Sequence, residues 1–208
     1  MSDYMSDEEQ LEKLKNWWDA NGTSLIVGLV LAVAGIVGWR WYDGARNSEA
    51  QAASDLYASF VATEGEAQAA MAVKIDAEID GTSYQIFSLF HRAQSAVDEG
   101  DVAAGEAYLS QVIAIDASDL LSDVARVRLA RLLQQQDKSE AALTALSGVK
   151  GGGFRAQVLE LKGDIHLVRD ERELAHEAYV AAAAELNEGE QMPLLEMKVA
   201  DTANANEG

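Results

Sequence analysis

The residues of this chain predict an all-α protein, with a single N-terminal transmembrane helix followed by a solenoid of helical hairpins. Three observations carry that expectation. Twenty residues, Ala20 to Trp39, pass without a charge. The remainder is rich in Ala, Leu, Val, Glu and Asp and contains one proline, Pro193, a composition that favours helix over sheet. Helix-breaking clusters, Glu99-Gly100-Asp101, Gln136-Asp137-Lys138 and Arg169-Asp170-Glu171, recur at intervals of roughly 34 residues, which is the spacing of helical-hairpin repeats.

Taken in order, residues 1–21 form a short charged tail. Leu11, Leu14 and Trp18 stand at helical spacing within it, and Ser6 with Glu9 matches a capping box that would start an amphipathic helix. Residues 22–42 are the span. At about 1.5 Å per residue, twenty residues cover about 30 Å, the thickness of a bilayer's hydrocarbon core. Trp17-Trp18 on one side and Trp39, Trp41 and Tyr42 on the other are interface aromatics.

A cleaved signal peptide is the rival reading, because Ala32-Val33-Ala34 has the A-x-A form. The flanks oppose it. Cleavage there leaves an apolar core of only Leu25 to Leu31, preceded by a long acidic segment instead of a short basic one. A buried soluble helix is opposed by apolar residues on every face. Charge does not set the orientation: Lys13 and Lys15 precede the span, and Arg40 and Arg46 follow it. Gly28, Ala32 and Gly35 lie on one face and form a small-residue track where another membrane helix can approach closely, although glycines are common in such helices in any case.

Residues 43–83 lead into the repeats, with an Ala-rich helix over 48–63 and a less decided stretch near 66–79. Hairpins with a C-terminal capping helix occupy 84–200, and residues 201–208 read as a disordered tail. Small residues fix the register: Ala93 and Gly105, Ala130 and Ala142, Gly163 and Ala175, where the helices of each hairpin cross. Each pair is followed by a large side chain, Leu109, Leu146 or Tyr179, and then by Val112, Val149 or Ala182. This order of small, small, large and small positions is the tetratricopeptide pattern. Its leading large residue is Leu89 and Leu159 in the outer hairpins but Arg126 in the middle one, where looser packing is expected. Gly151-Gly152-Gly153 reads as a flexible joint, Asn187 to Gln191 as a loop, and Pro193 suits the first turn of a last helix over Leu194 to Ala200 that caps the stack.

Charge narrows the partners. Of 35 acids and 16 bases, six acids and two bases precede the span and Arg40 closes it, so 29 acids face 13 bases afterwards. Such a surface repels phosphate backbones, which argues against nucleic acid; the membrane is engaged through one helix alone. The chain has no cysteine, so it has no disulfide, thiolate zinc site or cysteine nucleophile.

No catalytic, metal or cofactor-binding residues are expected. His91, His166 and His176 form no metal-ligand spacing, and His166 reads as a structural histidine. No G-x-S-x-G elbow occurs, the glycine triplet lacks the Lys-Ser/Thr of a phosphate loop, and the acidic pairs lack a calcium loop's form. A repeat of this kind binds. The first helix of each hairpin would line the concave side with Phe87, Phe90 and Gln94, then Val127 and Arg131, then Glu160 and Asp164, unless the apolar members fill the core between hairpins.

The order of parts resembles the YfgM family of ancillary SecYEG translocon subunits. The resemblance rests on W-W-D-A-N-G (Trp17 to Gly22) leading into the span, the exit G-W-R-W-Y (Gly38 to Tyr42), the hairpins, and Leu161-Lys162-Gly163-Asp164 in the last one. It implies a bacterial inner-membrane protein with a cytoplasmic N-terminus and periplasmic repeats. It also implies the translocon and a PpiD-type periplasmic chaperone as partners, and chaperone-like binding of emerging client proteins. A membrane-tethered scaffold that recruits another cell-envelope complex is the alternative reading of the same parts.

Overall fold

A computed structural model describes residues 7–116, 118–186 and 192–203. Among the described residues every regular element is a helix. The chain divides into two compact units, Met1–Asp55 and Leu56–Gly208.

The first unit is built on α1, Asp7–Val61, which carries the tail, the span and the following Ala-rich segment as one helix. No break separates the span from 48–63, since nothing between Trp41 and Asn47 stops a helix except Gly44, which a helix tolerates at modest cost. Ser6 of the expected capping box lies outside the described residues. From Leu25 to Val37 the apolar side chains are exposed, as a helix that meets lipid requires.

The second unit begins with the last turns of α1 and with α2, Gly65–Glu78, which resolves the less decided stretch as helix. Phe60, Ala72 and Ile75 form a small core here. Three hairpins follow: α3 (Ser83–Asp98) with α4 (Val102–Ile115), α5 (Asp119–Gln135) with α6 (Ser139–Ser147), and α7 (Arg155–Val168) with α8 (Arg172–Ala184). The closing helix α9, Pro193–Ala203, starts at the proline and runs past the expected end at Ala200. The expected loop over 187–191 and the tail from 204 lie outside the described residues.

The turn inside each hairpin is the same. Gly100, Asp137 and Asp170 take left-handed backbone conformations, with φ of 86°, 59° and 60°. The next amide reaches back to close the first helix: Asp101 N to Ala96 O at 2.7 Å, Lys138 N to Leu133 O and Glu171 N to His166 O at 2.9 Å. The carbonyls of those residues then accept from Gly105, Ala142 and Ala175, the small positions of the register. All six small positions are buried, and so are Leu109, Leu146, Tyr179, Val112 and Ala182. Val149 is only half-buried, because α6 stops at Ser147 and leaves it outside the helix.

Two cores unite the hairpins. Ile86, Leu89, Leu109, Val112 and Leu132 fill the space among α3, α4 and α5. Val127, Leu133, Leu146, Leu161 and Ile165 fill that among α5, α6 and α7. In the middle hairpin Arg126 lies against Gly148, where an added Cβ would sit 2.8 Å from its guanidinium carbon. The large residue is therefore accommodated over a glycine.

Gly151 to Gly153 do not form a free joint. Asp123 on α5 is 2% exposed, and its carboxylate accepts from Lys150 N at 3.0 Å and from Gly151 N at 2.7 Å. Gly152–Phe154 then form a single 3-10 turn that leads into α7. The buried carboxylate ties the connection down, which the glycines alone did not suggest.

Candidate functional site

The five helix-borne residues expected on the first two hairpins separate into groove and core. Phe87, Phe90 and Gln94 on α3 and Arg131 on α5 line a continuous cleft between these helices. One end, about 540 Å³, is walled by Tyr57, Phe87, Phe90, Leu121 and Arg128. The other, about 310 Å³, is walled by Phe90, Gln94, Val97, Arg128, Arg131 and Gln135. The aromatic end is ordered by ring contacts: Tyr57 to Tyr84 at 5.8 Å, Tyr57 to Phe87 at 6.1 Å, and Tyr84 edge-on to Phe87 at 6.2 Å between centroids. At the polar end the Arg128 guanidinium lies 4.9 Å over the Phe90 ring, and Gln94 donates to Asp98 at 2.8 Å.

Val127 does not belong to this surface. It is 3% exposed and packs in the core with Val158 and Leu161, because α7 crosses the face of α5 that carries it. Glu160 and Asp164 are likewise taken. Lys198 of α9 lies 2.7 Å from Glu160 Oε1 and 2.7 Å from Asp164 Oδ1, and the buried Tyr179 hydroxyl donates to Asp164 at 2.8 Å. Leu195 of α9 packs with Tyr179, Ala182 and Leu159. Burial opposes the Lys198 charge, but Asp164 and Glu160 outweigh it and raise its pKa above the ordinary lysine value. Burial first, and then the bond to Asp164, push the Tyr179 phenol well above its usual range. The third hairpin thus presents its carboxylates to the capping helix.

Reading the sequence missed three participants: Arg128, Asp123 and Lys198. Only Arg128 left a signal, since it stands three residues from Arg131 and therefore shares its helix face.

The histidines are internal. His166 Nδ1 is 2.7 Å from Glu171 Oε2, and His176 Nδ1 is 3.0 Å from Thr202 Oγ1. His91 is half-buried, with its ring edge-on to Phe60 at 5.2 Å between centroids. Among the described residues no group of three or more His, Asp or Glu side chains is placed to hold a metal ion.

On α1, Gly28, Ala32 and Gly35 are all exposed, and a Cβ at Gly28 or Gly35 would meet nothing within 4 Å. That face is open to a neighbouring helix.

Fold and groove together define a membrane-anchored tetratricopeptide-like repeat protein. Residues 15–204 match the family model described as a tetratricopeptide repeat-like domain. Proteins named "Ancillary SecYEG translocon subunit" are similar over most of their length. The one from Escherichia coli is 30% identical over 183 residues, covering 87% of this chain and 89% of the relative. Its counterpart from Haemophilus influenzae is 28% identical over 181 residues, 86% and 89% of the two chains, and that from Neisseria gonorrhoeae 27% over 207 residues, 96% and 98%. No solved structure matches. The chain belongs to the family of ancillary SecYEG translocon subunits, the YfgM family that its motifs resemble.

Proposed function

We propose that this chain is an inner-membrane accessory of the protein translocon whose hairpins hold proteins as they emerge into the periplasm. The N-terminus is cytoplasmic in this reading, the span crosses once, and the repeats stand outside the cytoplasm beside the channel exit. The observation that carries it is the similarity to the Escherichia coli translocon subunit across 87% of the chain, which takes in both the anchor helix and the hairpins. The α3–α5 cleft supports the binding role, since it offers aromatic and polar groups together on an exposed face. The acidic domain supports a position clear of anionic headgroups. Work is done by positioning and binding, without turnover. A PpiD-type chaperone is the second expected partner, and the face of Gly28, Ala32 and Gly35 is the proposed contact in the membrane.

A photo-crosslinker placed at Gly28 or Ala32 tests the association. An adduct with a translocon subunit is expected. Adducts with a different envelope complex and none with the translocon would favour the scaffold reading instead. A reporter active only outside the cytoplasm, fused after Gly208, tests the orientation; its silence would reverse it.

A further inference from the structure

The cations of the second unit are mostly spoken for. Arg92 pairs with Asp76, Lys138 with Glu106, Arg169 with Glu140 and Glu171, and Lys198 with Glu160 and Asp164. Such pairing is the natural state where acids outnumber bases two to one. Among the described residues Lys74, Arg126, Lys162, Arg128 and Arg131 depart from it, and of these only Arg128 and Arg131 line the cleft. Both are exposed on one face of α5, and among the described residues neither has an ion pair or a hydrogen bond. The Arg128 guanidinium carbon lies 4.9 Å over the Phe90 ring, a contact that uses none of its N–H groups as hydrogen-bond donors to a protein acceptor. A guanidinium with its N–H groups unengaged can take a carboxylate through parallel N–H···O bonds.

These two arginines wall the polar end of the cleft, and the aromatic end continues from them without a break, since Phe90, Gln94 and Arg128 belong to both. Resting on the reading of the hairpins as a peptide-binding stack, we propose that this cleft takes an extended protein segment carrying an acidic side chain next to apolar ones. The carboxylate sits on Arg128 and Arg131, and the apolar side chains lie against Phe87, Phe90 and Tyr57. Charge complementarity selects the occupant. A basic segment would meet two unneutralised arginines, whereas a polyanion would be repelled by the net negative charge of the domain as a whole. A single acidic side chain set among apolar ones satisfies both limits.

The test uses the full chain in nanodiscs and a short fluorescein-labelled peptide with Phe and Leu in its first half and Asp in its second. A matched peptide carries Asn in place of Asp, and both have blocked ends. Fluorescence anisotropy should show the Asp peptide binding about tenfold more tightly than the Asn peptide. In the double variant Arg128→Gln, Arg131→Gln that preference should vanish, the Asp and Asn peptides then binding with equal affinity. Both side chains are exposed, so an unchanged circular dichroism spectrum and melting temperature will show that the variant is folded. Equal binding of the two peptides to the native chain overturns the carboxylate preference yet leaves the hairpins as a peptide-binding stack. A preference that survives in the double variant overturns the role of the arginines. If neither peptide binds, the inference fails, and the crosslink from the span decides separately whether the translocon association stands.

Discussion

At Gly163 there is no room for a β-carbon. An added one would stand 2.5 Å from Tyr179 Cδ1, and the ring cannot yield, because Tyr179 is fully buried and its hydroxyl is tied to Asp164. Gly163→Ala should therefore cost about 1–3 kcal/mol of stability, as overpacking does. Gly105→Ala meets a softer neighbour, the Val97 Cγ2 methyl at 2.7 Å, and should lower the melting temperature less. Thermal unfolding of the two variants side by side checks the order. Asp123 makes a second residue-scale prediction. Asp123→Ala leaves the Lys150 and Gly151 amides without their acceptor, at a cost of about 1–3 kcal/mol, and faster hydrogen exchange at those two amides should report it. Glu171 supplies a pH dependence. The bond from His166, aided by Arg169, holds its carboxyl below the ordinary value of 4.5. Its contribution is present above that value and lost as pH falls through the lower, folded-state value. The stability advantage of the native chain over Glu171→Gln should accordingly shrink as pH drops from about 5 towards about 3.

Among the elements, α9 is held by a few identifiable contacts: Leu195 in the core with Tyr179, Lys198 between two carboxylates, and the Asp201 carbonyl accepting from Arg172 at 2.9 Å. Lys198→Met should loosen α9 by leaving Glu160 and Asp164 partly buried with no cation between them, and amide exchange should rise first in that helix. This element also marks the limit of what could be read from sequence. The small positions from Ala93 to Ala175 were legible because close helix crossing dictates residue size locally, whatever the partner. Pro193 announced the start of α9 for an equally local reason. What α9 does to Glu160 was not legible, since that pair spans 38 positions and depends on the angle at which the last helix returns. The same applies to Asp123, whose ligand amides lie 27 and 28 positions away, and to Val127, whose face is core only because α7 covers it. Asp137 and Asp170 taught a smaller lesson. Both belong to the clusters that divide the helices, and both occupy left-handed turn positions that aspartate tolerates better than most residues.

At the scale of the molecule, a stack of hairpins has the weakness that each exposed end resembles the face its neighbour was built to meet. The first hairpin has α2 and the end of α1 beside it, with Tyr57 against Tyr84 and Arg92 bonded to Asp76. The last hairpin has α9. Truncation after Leu186 would uncover Leu159, Tyr179 and Ala182, and sedimentation should show the shortened chain self-associating where the full chain does not. Lys198 then has a meaning beyond its ion pairs. By occupying Glu160 and Asp164, it seats α9 with a charge as well as with Leu195, so the face of the third hairpin that a further hairpin would meet is already neutralised.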